Sequence, residues 1–220
     1  MPPLLPPQVD DYLTGLAGIG LQDVVLDEME ARAREHGFPI VGRAVGRHLE
    51  LQARAIGARR VMELGSGYGY SAYWFARAVG EDGEVICTDG DAGNAALAEG
   101  YLRRAGVWDR VDYHVGDALT SFAEVDGEFD VVYCDIDKDG YPDAWAAARE
   151  RIRVGGLFVC DNTLWHGRVA GVPQERSSPA RDAVTPDIVA MTRAVAEDQR
   201  YLSSLVPLRD GVLVALRVEA

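Results

Sequence analysis

Lysine is almost missing from this chain. Of its 22 basic residues one is a lysine, Lys138, and the others are arginines. Positive charge is scarce overall, because 35 acidic residues leave a net charge of −13. That balance excludes nucleic acid as a partner, since phosphate binding needs clustered Lys and Arg. It disfavours an anionic membrane surface for the same reason. Cysteine is limited to Cys87, Cys134 and Cys160. No pair has metal-ligand spacing, and an odd number gives no disulfide framework. The three read as buried strand residues with free thiols, which fits a cytoplasmic protein. No apolar run reaches the roughly 20 residues of a membrane span. The proline-rich start, residues 1–7, has neither the basic nor the long apolar region of a signal peptide.

The chain has 220 residues, 48% of them hydrophobic, which suits one α/β domain spanning residues 1–220 with a sizeable core. Residues 1–9 are expected to form a loose arm. Residues 10–36 are helical in pattern, with Asp23 as a cap, and residues 42–55 read as a further helix. From Arg60 the pattern alternates. Short apolar strands at 61–64, 84–88, 111–115, 129–134 and 157–160 are separated by helical stretches at 71–79, 92–105, 121–124 and 141–152, the last stopped by Gly155-Gly156. Such alternation means βαβ units and a mostly parallel sheet. A helix over 186–198 follows. Then two apolar strands, 201–208 and 212–218, flank Arg209-Asp210-Gly211, a hairpin signal. The expected fold is therefore α/β and Rossmann-like, a mostly parallel seven-stranded sheet closed by a C-terminal antiparallel hairpin, with helices on both faces. Residues 167–185, rich in Gly, Pro, Ser and Arg, are expected to be a substrate loop over the site.

The first strand runs into Glu63-Leu64-Gly65-Ser66-Gly67-Tyr68-Gly69-Tyr70-Ser71. Glycines allow a tight turn and close approach of a ligand to the backbone. The spacing is not the G-x-G-x-x-G that seats a pyrophosphate on a helix N-terminus, which argues against a nicotinamide dehydrogenase. Glu63, a carboxylate at the strand end, suits a positively charged ligand. Asp89, after the second strand, is placed to accept hydrogen bonds from ribose hydroxyls, and Asp91 can take the alternative role of helix cap. Asp117-Ala118, after the third strand, fits either an adenine edge or an ordinary cap. A ribose clamp, an adenine slot and no phosphate cradle together describe S-adenosylmethionine (SAM).

Asp135 ends the fourth strand, and Asp161-Asn162 end the fifth. Ligands of open α/β sheets bind beyond the carboxyl ends of the strands, so these side chains converge if the two strands are neighbours. Two carboxylates and an amide oxygen suit Mg²⁺, Mn²⁺ or Ca²⁺ and suit zinc poorly. The one lysine lies between the clusters. Unlike arginine, it can lose its proton, which points to proton transfer beside a bound cation.

The segments Asp135-Ile136-Asp137-Lys138-Asp139-Gly140-Tyr141 and Asp161-Asn162-Thr163-Leu164-Trp165, with Glu63 to Ser71, Asp89 and Asp210-Gly211-Val212, resemble those of the cation-dependent O-methyltransferases, the caffeoyl-CoA and catechol O-methyltransferase group of class I methyltransferases. The resemblance implies a divalent cation, Mg²⁺ foremost, on Asp135, Asp161 and Asn162, with Lys138 as general base. It implies SAM binding by Val41, Glu63, Gly65, Ser66, Gly67, Ser71, Asp89, Asp117, Ala118 and Asp135, a small phenolic acceptor near Lys138 and Trp165, and a homodimer. His166 stands where plant members have asparagine; it either orients the acceptor or is a solvated loop residue. Two other readings remain: a metal-independent SAM methyltransferase acting on another nucleophile, and a non-catalytic SAM-binding module, which has no use for Lys138.

Overall fold

A computed structural model describes residues 6–174 and 178–219. Seven strands form one sheet: β1 (Arg60–Leu64), β2 (Glu84–Asp89), β3 (Val111–Val115), β4 (Phe129–Cys134), β5 (Ile152–Cys160), β6 (Tyr201–Val206) and β7 (Val212–Arg217). Their order is β3-β2-β1-β4-β5-β7-β6. The first five are parallel, and β7 runs antiparallel to both β5 and β6. The order reverses between β1 and β4, which opens a crevice at their carboxyl ends.

Helices cover both faces because the central strands alternate buried side chains to each side. Val61, Tyr133 and Val159 pack against α2 (Val24–His36), α3 (Gly42–Ala55), α4 (Tyr70–Val79) and α5 (Ala92–Arg104). Met62, Val132 and Phe158 pack against α6 (Ala118–Glu124), α7 (Tyr141–Ala148) and α8 (Pro179–Glu197). All three cysteines are buried and free. No described helix is long and apolar enough to cross a membrane.

Four expectations about elements need correction. The helical stretch from residue 10 to 36 is two helices, α1 (Pro7–Gly18) and α2, separated by a turn with Gly20 at φ 73°. Asp23 caps α2 as expected, accepting from the backbone N–H groups of Val25 and Leu26. Residues 7–9, assigned to a loose arm, begin α1, because proline is tolerated in a first helical turn; residues 1–5 lie outside the described residues. Gly155-Gly156 do not stop a helix but lie inside β5, where its register against β4 shifts. A Cβ on Gly156 would come within 2.8 Å of the Asp130 carbonyl oxygen.

The fourth correction concerns the substrate loop. Helix α8 begins at Pro179, not Pro186, so residues 179–185 are helical. Two bonds made at a distance secure this extra turn: Trp165 Nε1 donates to the Arg181 carbonyl and Arg168 Nε donates to Asp182 Oδ1, both at 2.9 Å. Of the remainder, Trp165–Ala170 forms tight 3₁₀ turns and residues 175–177 lie outside the described residues.

The crevice depends on a close backbone crossing. Asp135 N donates to Leu64 O at 2.9 Å, joining the ends of β4 and β1. The next residue, Gly65, has φ 84°, and a Cβ there would sit 2.6 Å from the Asp135 carbonyl oxygen. Gly65→Ala therefore meets both backbone strain and a backbone clash. We expect a loss on the order of 2–4 kcal/mol in urea unfolding, together with weakened SAM binding. A variant that unfolds like the parent would contradict this account of the crossing.

Candidate active site

A cleft of about 1590 Å³ opens at the carboxyl ends of β1, β2, β4 and β5, and residues of α1, α2 and α3 also line it. Val41, Gly65, Ser66, Gly67, Ser71, Asp89, Asp117, Ala118, Asp135, Lys138, Asp161, Asn162, Trp165 and His166 all line it. Of the residues expected at the site, only Glu63 is not on that lining; it is fully buried near the Ser71 and Ser66 hydroxyls.

The glycine turn is held by its neighbours in the sheet. Gly65 N donates to Thr88 Oγ1 at 3.2 Å, Ser66 N to Thr88 O at 2.8 Å and Gly67 N to Asp89 Oδ2 at 3.0 Å. Asp89 Oδ1 accepts from Asp91 N and Asn94 Nδ2. Asp91, not Asp89, caps α5, accepting from Gly93 N at 2.7 Å. Asp89 is thus left on the cleft wall. Asp117 does cap α6, accepting from the Thr120 N–H and hydroxyl at 2.8 Å, while also lining the cleft.

Strands β4 and β5 are neighbours, with Cys134 paired to Cys160. Asp135 and Asp161 are the next residues on each strand, so they stand side by side. Asp161 is 4% exposed, and its Oδ1 is buried without a hydrogen-bond partner. Burial, reinforced by the Asp135 charge, pushes its carboxyl up to about 7. Lys138 Nζ donates to Asp135 Oδ1 and to the Ile136 carbonyl, each at 3.0 Å. The amine lies 4.9 Å from the Tyr141 ring centroid and 5.9 Å from that of Trp165. Burial pulls its pKa down, but the Asp135 carboxylate outweighs that and leaves it above the ordinary lysine value. Asn162, at φ 52°, completes the trio on the lining. Among the described residues, no three of His, Cys, Asp and Glu gather as a metal site. The candidate donor set at this point is two carboxylates and an amide. The unpartnered, buried Asp161 Oδ1 is the observation that fits it to a cation.

Residues 22–218 match the family model described as O-methyltransferase. The chain belongs to the O-methyltransferase family. It is a SAM-dependent O-methyltransferase, the class expected from its sequence motifs. A caffeoyl-CoA O-methyltransferase of Eucalyptus gunnii is 31% identical over 182 residues, which is 79% of this chain and 72% of the relative. The O-methyltransferase TomG of Streptomyces achromogenes, involved in tomaymycin synthesis and solved with SAM, superposes with a TM-score of 0.83 at 29% identity, covering 96% of each chain. A Bacillus cereus O-methyltransferase solved with SAH superposes at 0.81 with 25% identity, covering 96% of this chain and 97% of its own.

Three residues of this O-methyltransferase site escaped the sequence reading. The Tyr141 hydroxyl donates to the Asp161 carbonyl at 2.8 Å, and its ring underlies Lys138. Arg209 and Asp210 also line the cleft, although their spacing signals a hairpin turn. Arg209 NH1 donates to the Ile40 carbonyl at 2.6 Å, tying that turn to the chain just before Val41.

Glu63 carries a pH signature. Burial pushes its carboxyl up to about 7, against the pull of the Ser71 and Ser66 hydroxyls. A carboxyl whose folded pKa exceeds its unfolded value stays protonated in the folded state while the unfolded state has released its proton. Its contribution to stability is therefore lost as pH rises from the ordinary glutamate range through about 7. Glu63→Gln should match the parent in urea unfolding at pH 5. At pH 8, without ligand, it should be the more stable by roughly 1–3 kcal/mol. An equal difference at both pH values would remove Glu63 as a source of pH-dependent strain.

Proposed function

We propose that this enzyme methylates a hydroxyl of a catechol-like, vicinal dihydroxy aromatic in a reaction that depends on a divalent cation. One observation carries the reading: a buried, unpartnered carboxylate oxygen on Asp161 stands beside Asp135, the partner of the one lysine. Asp135, Asp161 and Asn162 would hold the cation. Hard oxygen donors of this kind suit Mg²⁺ first, and Mn²⁺ or Ca²⁺ as well. The Eucalyptus relative is named for caffeoyl-CoA, whose ring carries two neighbouring hydroxyls; that supports the acceptor class.

When bound, SAM supplies an electrophilic methyl group and the cation supplies a Lewis acid that favours an ionised acceptor oxygen. The chain's own residues do the rest. Gly65 to Gly67 and Asp89 hold the nucleoside side, and Glu63 lies beneath them, suited to the positive charge of the amino-acid end. Trp165 and Tyr141 wall the space around the Lys138 amine, whose side chain is 12% exposed. A free phenol has a pKa near ~10, so about one molecule in a thousand is ionised at neutral pH. Lys138 is placed to take that proton, but only in its neutral form. The ion pair with Asp135 keeps the amine charged; a cation held by Asp135 would weaken that hold. Asp135 thus couples the donor set to the base.

The test is SAH release from SAM with caffeic acid, in Mg²⁺ and in excess EDTA. Turnover should vanish in EDTA and return with Mg²⁺. Lys138→Arg keeps the charge beside Asp135 but cannot accept a proton, and should lower kcat about 10²- to 10⁴-fold. EDTA-indifferent turnover would replace this reading with a metal-independent methyltransferase. SAM binding without turnover of any acceptor would make the chain a binding module.

A further inference from the structure

Four described non-glycine residues have left-handed backbone: Asn162, Trp165, His166 and Arg209. All four line the cleft. Such conformations are uncommon outside glycine and persist where the surroundings impose them. For His166, at φ 56° and ψ 33°, Asp210 supplies much of the constraint. Asp210 Oδ1 accepts from the His166 backbone N–H, and its carbonyl accepts from Leu164 N at 2.8 Å. Gln174 Nε2 donates to the His166 carbonyl at 3.0 Å. The imidazole Nε2 lies 3.5 Å from Asp210 Oδ2, and the side chain remains 32% exposed.

The Asp210 carboxylate, 3.5 Å from Nε2, favours the proton on that nitrogen. That tautomer leaves Nδ1 as a lone-pair acceptor, and Nδ1 makes no hydrogen bond to any described residue. The charged groups around the ring are Asp210 on the turn between β6 and β7, Arg181 on α8 and Arg168 on its own segment. Burial, aided by the two arginines and opposed by Asp210, holds the imidazole below its ordinary pKa. A neutral ring with one unprotonated nitrogen can receive a hydrogen bond from a hydroxyl or amine; it offers nothing to a methoxy group or a carboxylate. The Trp165 ring, which neighbours Lys138, has its centroid 6.0 Å from that of His166.

We infer that His166, oriented by Asp210, recognises a further hydrogen-bond donor on the acceptor, such as a third ring hydroxyl beside the vicinal pair. This rests on the catechol reading of the cleft and narrows it to polyhydroxylated aromatics. His166 is a specificity residue that touches the acceptor. Asp210 is a positioning residue that acts through it.

The test compares catechol with pyrogallol, which differs by one added hydroxyl. Calorimetry on the complex with SAH and Mg²⁺ reads binding without requiring turnover. Pyrogallol should bind the parent about five- to tenfold tighter than catechol. His166→Gly, which accommodates the left-handed backbone, should lose that advantage. Asp210→Asn retains an oxygen for the His166 N–H but loses the charge, and should reduce the advantage. In ¹⁵N spectra of the parent, His166 should be the Nε2–H tautomer, and Asp210→Asn should shift it towards a mixture. An equal pyrogallol advantage in the parent and His166→Gly would overturn the inference while leaving the catechol reading in place. Protonation at Nδ1 in the parent would overturn it whatever the acceptor proves to be. If the parent binds neither phenol, the catechol reading fails and the inference falls with it.

Discussion

Two carboxylates, Asp161 buried and Asp135 half-buried, stand side by side at the ends of adjacent parallel strands, and most of the site answers to that fact. Removing one carboxylate from water is costly, and a second of like charge beside it raises the cost. The structure answers in two ways. Lys138 pairs with Asp135, and Asp161 shifts towards its neutral form. Neither provides Asp161 Oδ1 with a partner. A folded chain that keeps such a pair has retained something destabilising, and a ligand that brings positive charge relieves it.

The same logic extends beneath the cofactor side. Glu63 is buried with a raised carboxyl pKa and an unpartnered Oε1. Both anionic centres therefore lie on one face of the sheet's switch point, on either side of the Gly65 crossing. The protein's net charge of −13 makes each buried carboxylate harder to keep ionised. The positively charged groups that counter this are few and local: Lys138 beside Asp135, and Arg209, whose charge favours the ionised forms of Asp135 and Asp161.

Much of this was legible in the amino-acid order because several of the acidic residues sit at or just after a strand's end. Asp89, Asp135 and Asp161 each mark a carboxyl end, and a parallel α/β sheet gathers those ends on one side. Lys138 was legible for a different reason, the near-absence of its residue type. The features that stayed hidden depend on contacts distant in sequence. Pro179 and Pro186 are equally good first-turn residues, and only the bonds from Trp165 and Arg168 show that the helix starts at the earlier one. Gly155-Gly156 look like a helix stop until the Asp130 carbonyl is seen against Gly156. Asp210-Gly211 read as turn chemistry. That reading is sound, since the pair does lie in the turn before β7, but the Asp210 carboxylate also grips His166. A residue with a sufficient local role conceals a second one.

If Asp135, Asp161 and Asn162 hold a divalent cation, as proposed, Asp135 should then give up its hold on Lys138. Anomalous diffraction from crystals grown with SAH and Mn²⁺ tests it most directly. The account predicts a manganese peak ligated by those three side chains, with the 3.0 Å contact between Lys138 and Asp135 Oδ1 lengthened or broken. A saturating Mn²⁺ concentration that leaves no peak there, or a peak with the Lys138–Asp135 pair intact, would contradict it.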